Sequence, residues 1–382
     1  MDELLPIKYA EYRQKVRKFA ETEVQQVALV QDEKEEFSVP LAKKMGEAGL
    51  FGITIPKEYG GQGLDYLSYI IAVEELARID SSPAATVAAH NSLGMTPIYT
   101  FGTDEQKKKY LPGLSSGEKV WAFGLTEENA GSDPKGVETR AELIDGQWVI
   151  NGSKMFITNS ASEIASGITL QAITGYQEDG RKEISAILVD RTTPGYQVTP
   201  IKGKLVWRSI DNGKMKFNNC RVPESNLLGK RGEGMKIMLS TLDGGRLSIA
   251  AIGLGLAQGA YEMALSYSQK RKQFGKPIVE NQSISFKLAE MAVKIEAARS
   301  LLYNACHLKD AGKPFGKEAA MAKLYCSEIA REVSDESLQI HGGYGLLREN
   351  HIERFYRDQR LLQIGEGTSE ILKLVISRHI LK

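Results

Sequence analysis

The segment Leu361 to Leu372, LLQIGEGTSEIL, places a carboxylate, Glu366, between two glycines immediately before the last predicted helix. Glycines on both sides remove side-chain bulk, so the backbone can turn sharply and approach a ligand closely. Thr368 or Ser369 can cap the helix that follows. The pattern is typical of a solvated turn, but it also suits a catalytic carboxylate aimed by its backbone.

Apolar residues upstream of Glu366 favour the catalytic interpretation. Leu361, Leu362 and Ile364 are expected to bring the carboxylate to the edge of a hydrophobic core. Burial there raises the pKa of a carboxyl group and makes it a stronger base. Glu366 is therefore the candidate catalytic residue.

Length and charge limit the class of protein. The chain has 382 residues, of which 42% are hydrophobic, and this predicts two or three domains with large cores. Lys plus Arg number 49 against 48 Asp plus Glu, so no overall field attracts nucleic acid or an anionic membrane. No apolar run reaches membrane-spanning length, and no metal-ligand spacing occurs, so we predict neither membrane insertion nor a metal site.

Cysteine usage and the first residues predict the compartment. Cys220, Cys306 and Cys326 are odd in number and widely spaced, which fits a reducing environment. The first residues are charged from position 2 and lack the apolar core of a signal peptide. We expect a cytoplasmic protein of the bacterial type, or a mature protein of the mitochondrial matrix.

Hydrophobic periodicity divides the chain into three parts and predicts the α+β class. Residues 1–118 show the three-to-four spacing of helices, including a capping box of Thr103 and Gln106. Residues 119–227 show a period of two, with predicted turns at Asp145-Gly146 and Asn151-Gly152, which indicates an antiparallel β-domain. Residues 228–382 return to long helical runs, typical of an α-helical bundle.

Four further stretches contain candidate ligand-binding groups. FGLTEENAGSD (123–133) has hydroxyls and backbone donors for the polar edge of a flavin ring, and KMFITNS (154–160) ends a strand with an aromatic ring and a hydroxyl. Arg271 in RKQFGKP suits a pyrophosphate, and QIHGGYG (339–345) turns through glycines that can follow a diphosphate. Each stretch also has a plain structural interpretation: a loop, a sheet core, a basic helix end and a helix C-cap.

Two polar residues stand out in the small-residue helix that Pro83 is predicted to open. His90 and Asn91 are either satisfied buried residues, which is the usual case, or part of a pocket floor. We keep both as candidates for contact with a polar substrate group.

Taken in order, FGLTEENAGSD, KMFITNS, LDGGR, RKQFGKP, QIHGGYG and IGEGTSEI resemble the acyl-CoA dehydrogenase flavoprotein family, in its short-chain, butyryl-like branch. The resemblance covers practically the whole chain. It implies an N-terminal α-helical domain, a middle antiparallel β-barrel-like domain and a C-terminal four-helix bundle. It also implies bound FAD and a homotetramer built as a dimer of dimers.

The resemblance implies roles for individual residues. The candidates for FAD binding are Phe123, Leu125, Thr126, Gly131, Ser132, Phe156, Ile157, Thr158, Arg271, Gln282, Gln339, Gly342, Gly343, Thr368 and Glu370. Within this set, Arg271, Gln282 and residues 339–343 would contact the FAD of a neighbouring subunit. The candidates for substrate binding are Ser132, Asp243, Arg246, Gly365, Gly367, His90 and Asn91.

Glu366 matches the position of the family's base. In the family, the base removes the proton α to the thioester carbonyl while the β-hydrogen leaves as hydride to flavin N5, close to the position that Thr158 matches. The developing enolate oxygen is bonded by the backbone N–H of the base and by a ribityl hydroxyl. Some branched-chain members carry the base on the LDGGR helix, where this chain has Gly245. The resemblance therefore implies a 2-enoyl-CoA product, with electrons passed to an electron-transferring flavoprotein.

Departures from the family pattern bear on the acyl group. Gly365 stands where straight-chain members commonly have tyrosine, which predicts room for a branched, cyclic or aromatic acyl group. Ala84 stands where members that bind a dicarboxylic acyl chain have arginine, which disfavours such substrates. Glu128 replaces a frequent proline of the FAD loop. The alternatives are an oxidase or redox-silent lyase of the same fold, and a flavin-binding protein without turnover.

Overall fold

The first third of the protein is helical. The computed structural model describes residues 5–381. The α-helices of this part are α1 (Ile7–Phe19), α2 (Gln25–Lys34), α3 (Val39–Glu47), α4 (Tyr66–Ala77), α5 (Ser81–Ala89), α6 (Thr96–Phe101) and α7 (Asp104–Ser115). Two π-helical stretches, Ala20–Val24 and His90–Met95, interrupt the regular period.

Capping side chains determine where several of these helices begin. Thr103 and Gln106 form the predicted capping box of α7, with both reciprocal hydrogen bonds present. Asp65 caps α4, and all twelve residues of that helix are buried, which makes α4 the centre of the domain. Asp80 caps α5, so the helix begins two residues before Pro83, where the sequence predicted its start.

The middle of the chain forms a sheet of eight strands. The strands are β1 (Val120–Gly124), β2 (Arg140–Ile144), β3 (Gln147–Thr158), β4 (Ala165–Tyr176), β5 (Lys182–Asp190), β6 (Tyr196–Pro200), β7 (Asn212–Pro223) and β8 (Leu227–Leu228). Their order is β6-β7-β3-β2-β4-β5-β8, and β1 pairs with β4 beside this path. A separate core lies on this sheet, with Trp148, Ile168 and Phe217 among its members.

The pairing corrects two details of the sequence prediction. Most ladders are antiparallel as expected, but β1 runs parallel to β4, and β2 meets β4 at one parallel pair. Asp145 and Gly146 form the predicted turn between β2 and β3, both with positive φ. The second predicted turn, at Asn151-Gly152, is wrong: β3 continues through it, and the register against β7 shifts there as a β-bulge.

The last part of the protein is a helical bundle. After Leu228 the chain forms α8 (Gly234–Lys270), the hairpin strands β9 (Lys272–Gln273) and β10 (Lys276–Pro277), α9 (Gln282–Asp310), α10 (Gly316–His341), α11 (Ile352–Asp358) and α12 (Ser369–Ile380). Of the helices within residues 5–381, α8 alone is long and apolar enough to cross a membrane. Because 78% of its apolar window is buried in the protein, α8 serves as the central core helix of the bundle.

One hydrophobic core joins the two helical parts. It includes side chains of α4, such as Ile70, and of α8 and α9, such as Leu256 and Leu302. Inside it, the Glu74 carboxylate accepts from Arg299 at 3.0 Å and from Arg13 at 3.2 Å, which links α1, α4 and α9. The predicted domain boundaries fall between α7 and β1 and within β8.

Candidate active site

Glu366 lies in a strained turn between the bundle and α12. Its φ is +52°, and that of Gly367 is +103°. A left-handed conformation costs a residue with a side chain about 1–2 kcal/mol, so contacts must maintain it. Thr368 then caps α12 by accepting from the Ile371 N–H at 3.2 Å. The sequence predicted the turn and offered two capping residues, Thr368 and Ser369, of which Thr368 is the one that caps the helix.

The carboxylate of Glu366 points at helix α8. Its Oε2 is buried without a hydrogen-bond partner, although the residue as a whole is partly exposed. A Cβ atom built on Gly245 would lie 2.1 Å from this oxygen and 3.2 Å from Leu93 Cδ2. The carboxylate therefore occupies space that is open only because position 245 has no side chain.

Burial controls the protonation of this carboxylate. Loss of solvent raises the pKa of Glu366 to about 7, while the positive charges of Lys323 and Arg246 act against the increase. A carboxylate with a pKa near neutrality can take up and release a proton under ordinary conditions, which suits a general base. No second base is present at position 245, since Gly245 has no titratable side chain.

The FGLTEENAGSD loop lies beside the end of β3. The Met155 N–H donates to the Thr126 carbonyl at 2.9 Å, and Lys154 Nζ donates to the Leu125 carbonyl at 3.1 Å. Glu128, at the position of the family's frequent proline, forms an ion pair with Lys214 of β7. The structure thus joins the two stretches that the sequence analysis treated as separate flavin candidates.

The residues at the end of β3 point to different sides of the strand. Phe156 has a φ of +61° and 63% of its surface exposed, so its ring is open to a ligand. Ile157 is 4% exposed and belongs to the core of the sheet, so its side chain is not available. Thr158 is half-buried, and Asn212 Nδ2 lies 3.4 Å from its hydroxyl. We retain the side chains of Phe156 and Thr158, and only the backbone of Ile157, as flavin candidates.

A ligand-sized space lies at the far end of α10, away from Glu366. It is a groove of about 520 Å³, and its lining includes Arg271, His341, Gly342, Gly343 and Tyr344. The Arg271 guanidinium lies 5.3 Å from the centre of the Tyr344 ring. The predicted residues Gln282 and Gln339 lie nearby in sequence and are exposed.

This groove is far from Glu366. Lys323, which is close to the Glu366 turn, and His341 in the groove are 18 residues apart on α10, or about 27 Å along the helix axis at 1.5 Å per residue. The two candidate sites of one chain are thus well separated.

Three family models together match almost the whole chain. They are "Acyl-CoA dehydrogenase, N-terminal domain" over residues 8–118, "Acyl-CoA dehydrogenase, middle domain" over 122–220 and "Acyl-CoA dehydrogenase, C-terminal domain" over 232–381. The chain belongs to the acyl-CoA dehydrogenase family.

Individual relatives agree with this assignment. A probable acyl-CoA dehydrogenase of Bacillus subtilis, YngJ, is 46% identical over 97% of both chains. Butyryl-CoA dehydrogenase from Megasphaera elsdenii superposes with a TM-score of 0.95 at 40% identity, over 99% of both chains. A chain from the structure of the electron transferring flavoprotein of Acidaminococcus fermentans superposes with a TM-score of 0.96 at 43% identity, over 100% of both chains.

This acyl-CoA dehydrogenase uses FAD, and its candidate residues fit that cofactor. A Cβ atom built on Gly131, Gly342 or Gly343 meets no atom within 4 Å, so a ligand can approach the backbone closely at all three positions. The exposed Phe156 ring offers a flat surface for stacking, and Arg271 offers a bidentate cation for a pyrophosphate. At the start of α12, Glu370 is exposed and Thr368 is partly exposed.

The substrate candidates of this acyl-CoA dehydrogenase fall into two groups. Asp243 and Arg246 flank Gly245 on α8 and form an ion pair at 2.6 Å, while Gly365 and Gly367 flank the base itself. The structure therefore brings these four residues together around Glu366. Ser132 lies apart from them in sequence and is exposed on the FGLTEENAGSD loop.

His90 and Asn91 have a structural role. The Nε2–H of His90 donates to the Leu114 carbonyl at 3.0 Å, and its Nδ1 accepts from the Trp121 N–H at 3.2 Å. The Asn91 side chain bonds three backbone groups, including the Ile53 N–H at 2.9 Å. Both are fully engaged and buried, so the structure favours the satisfied-residue interpretation, and we remove both from the substrate site.

Sequence reasoning missed two buried lysines. Lys154 in β3 pairs with Glu127 at 2.7 Å, and Glu127 also accepts from the N–H groups of Glu138 and Thr139, which anchors the FGLTEENAGSD loop. Lys323 in α10 donates to the Gly367 carbonyl at 2.6 Å, directly after the base. A lysine at an inward-facing position of an apolar strand or helix was the available signal in both cases.

Proposed function

We propose that this protein removes the α- and β-hydrogens from a short acyl-CoA with a branched or cyclic acyl group, and that Glu366 abstracts the α-proton. One observation carries the proposal. A buried carboxylate oxygen of Glu366 without a partner lies against α8 at Gly245, in space that a side chain at that position would fill.

Glu366 can both accept the α-proton through its side chain and stabilise the enolate oxygen through its backbone N–H. Glu366 Oε2 takes the α-proton, and its pKa of about 7 leaves a large ionised fraction at neutral pH. Among residues 5–381, no acceptor is found for the backbone N–H of Glu366. That N–H is therefore free to bond the thioester oxygen as negative charge develops on it. Bound FAD supplies the acceptor for the β-hydrogen, which leaves as hydride.

Glycine at position 365 supports a bulky acyl group. The atoms nearest to a Cβ built there all belong to Leu361, at 3.7 Å, which is an ordinary contact. The position would accept a side chain, so its absence leaves volume beside the base for the substrate.

Two tyrosines of α4 limit the other side of this space. The Tyr66 hydroxyl donates to the Gly244 carbonyl at 2.7 Å, and the rings of Tyr66 and Tyr69 meet edge to face with centroids 5.1 Å apart. Both phenols are fully buried, and the charge of Glu366 raises their pKa further. A wall of two packed rings favours a short acyl group over a long one.

The decisive experiment is a panel of thioesters. Butyryl-, isobutyryl-, cyclohexanoyl- and aryl-substituted acyl-CoA are mixed anaerobically with the FAD-loaded enzyme, and bleaching of the flavin absorbance is followed. We expect the branched and cyclic thioesters to reduce the flavin at least as fast as butyryl-CoA. Reduction by unbranched thioesters alone would refute the enlarged site.

Position 365 offers a matched pair of variants. Gly365→Tyr should favour butyryl-CoA over cyclohexanoyl-CoA, because the phenol fills the space beside the base. Gly365→Ala should change the preference far less. Equal preferences in Gly365→Tyr and the unaltered enzyme would contradict the assignment of this residue.

We further propose that the electrons pass to an electron-transferring flavoprotein. Similarity to a chain in the Acidaminococcus fermentans flavoprotein structure supports this acceptor. Stopped-flow reoxidation separates the alternatives: slow reoxidation in air and fast reoxidation by the flavoprotein are expected. Fast reoxidation in air alone would indicate an oxidase, and no bleaching with any thioester would indicate a lyase or a protein without redox turnover.

We propose a homotetramer, built as a dimer of dimers, in which the Arg271 groove serves the FAD of a neighbouring subunit. The separation of about 27 Å along α10 supports this arrangement. Exposed apolar side chains on α9, Phe286 and Val293, offer a surface for association. Analytical ultracentrifugation should show a tetramer, and Arg271→Ala should lower its FAD content.

We also propose a reducing compartment, either the bacterial cytoplasm or the mitochondrial matrix. All three cysteines are buried and unpaired, which supports the assignment. Localisation of a tagged full-length chain in its native host would test it.

A further inference from the structure

Three contacts tie the turn of Glu366 to α10. Lys323 Nζ donates to the Gly367 carbonyl at 2.6 Å, and Gln363 Nε2 donates to the Ser327 carbonyl at 2.7 Å. The Ser369 hydroxyl donates to a Glu328 carboxylate oxygen at 2.7 Å. The first contact differs from the others because it places a charged group directly at the base.

This contact acts on the strained part of the turn. Glu366 and Gly367 both have positive φ, and the Gly367 carbonyl is the peptide group that follows them. A left-handed residue with a side chain persists only where neighbouring contacts fix it, since the conformation is unfavourable by itself. Lys323 is the side chain that fixes this peptide.

Lys323 also differs from the other cation near the base in its ion pairing. The side chain is fully buried, and no carboxylate of residues 5–381 lies within the 4.0 Å of an ion pair. The other cation near the base, Arg246, is already paired with Asp243 at 2.6 Å. Lys323 is thus the cation near Glu366 that has no carboxylate partner of its own among the described residues, and its charge has the larger effect on the base.

The charged and titratable groups facing the base come from three helices. Lys323 belongs to α10 and Arg246 to α8, and both lower the pKa of Glu366. Tyr66 and Tyr69 of α4 face it as neutral phenols. Glu328 acts on Lys323 from its own helix, and burial lowers the pKa of Lys323 to about 8.

We propose that Lys323 is the positioning residue of the base: it holds the Gly367 carbonyl so that Glu366 keeps its turn, and its charge keeps the carboxylate ionised for proton abstraction. The proposal deepens the proposed function and rests on Glu366 being the base. Lys323 itself need not touch the substrate.

The test first measures Glu366 without any turnover. Infrared spectra of the FAD-loaded protein are recorded from pH 5 to 10, and the protonated carboxyl band that is absent in Glu366→Gln is titrated. In the unaltered protein the midpoint is expected at about 7. Lys323→Met should raise the midpoint by about one pH unit, whereas Lys323→Arg should stay closer to the unaltered protein. Lys317→Met, at a partly exposed lysine of the same helix, is the control and should not move the midpoint.

The second measurement is the rate of flavin reduction by acyl-CoA. At pH 7, Lys323→Met should be about fivefold slower from the pKa shift alone, because the ionised fraction of Glu366 falls from about one half to about one tenth. Its high-pH limit should also remain below that of the unaltered enzyme, because the turn is no longer held, and kcat should fall more than KM. Lys323→Arg should recover part of both losses.

The outcomes separate the proposals. An unchanged midpoint in folded Lys323→Met overturns the proposal for Lys323. If Lys323→Met does not fold, Lys323→Gln replaces it; failure of both, while Lys317→Met folds, assigns the residue to folding and also overturns it. A shifted midpoint in a protein that reduces no flavin with any thioester supports Lys323 and refutes the proposed function instead.

Discussion

Gly245→Ala tests how tightly the base is placed. A Cβ atom at this position would lie 2.1 Å from Glu366 Oε2, and real Cβ contacts essentially never fall below 3.0 Å. The carboxylate must therefore move by at least 0.9 Å, or α8 must move away from it. A misplacement of about 1 Å can reduce the rate about 10²-fold. We expect Gly245→Ala to slow flavin reduction by about that factor.

The helix itself should not suffer from this substitution. Gly245 lies inside α8 without a positive φ, where alanine is favoured over glycine by about 0.5–1 kcal/mol. FAD content and thermal unfolding should therefore stay close to those of the unaltered enzyme. The assay is anaerobic stopped-flow bleaching with saturating thioester.

A matched control is available in α7. A Cβ atom on Gly113 would meet only Lys119 Cδ, at 3.6 Å, so Gly113→Ala should leave the rate unchanged. Bleaching at the unaltered rate in Gly245→Ala, with normal FAD content, would show that the carboxylate does not lie where we place it.

Three further predictions concern stability and cofactor retention. Because burial raises the folded-state pKa of Glu366 from 4.5 to about 7, its stabilising contribution is present below pH 4.5 and lost as the pH rises through 7. Glu366→Gln should therefore be more stable than the unaltered enzyme at pH 8, by on the order of 1–3 kcal/mol in urea unfolding, and not at pH 4. Lys154→Met leaves the Glu127 carboxylate buried without its cation. It should lower the free energy of unfolding by about 3–5 kcal/mol and release FAD on desalting. The control Lys214→Met, in an exposed ion pair, should lower it by no more than about 1 kcal/mol. His90→Ala leaves two buried backbone groups without partners and should lower stability by about 2 kcal/mol or more in the same assay, with an unchanged KM; a raised KM at normal stability would return His90 to the substrate site.

Local sequence signals predicted features that depend on few residues. The Thr103–Gln106 capping box, the Asp145-Gly146 turn and the Thr368 cap each follow from side chains within four positions. The change of the hydrophobic period from helix to strand and back was equally visible in the sequence, because each hydrophobic face spans many residues.

Features that depend on distant partners were not predictable. Asn151-Gly152 suits a turn or a bulge equally well. It forms a bulge because β3 continues past it and pairs with β7. The parallel pairing of β1 with β4 is set by a connection through two other strands. The π-helical stretch at His90 gives no distinct period, yet it carries the side chain that bonds α7 to β1.

In the candidate site, too, some residues follow from local sequence signals and others depend on the fold. The flanking glycines and a family resemblance identify Glu366 in the sequence. Lys323 and Lys154 were not predicted, because a single lysine in an amphipathic segment has no signature until the fold shows that it is buried. Ile157 was included as part of a matching run, and Asn91 as a polar residue of a small-residue helix; the first packs in the core of the sheet, and the second bonds buried backbone groups.

The central claim is that the Glu366 carboxylate is the base that acts on the acyl thioester. Single-turnover flavin reduction in Glu366→Gln tests it most directly, with FAD content measured on the same sample. We predict a protein that keeps its FAD and reduces it about 10²–10⁴-fold more slowly. Reduction at the rate of the unaltered enzyme would contradict the account.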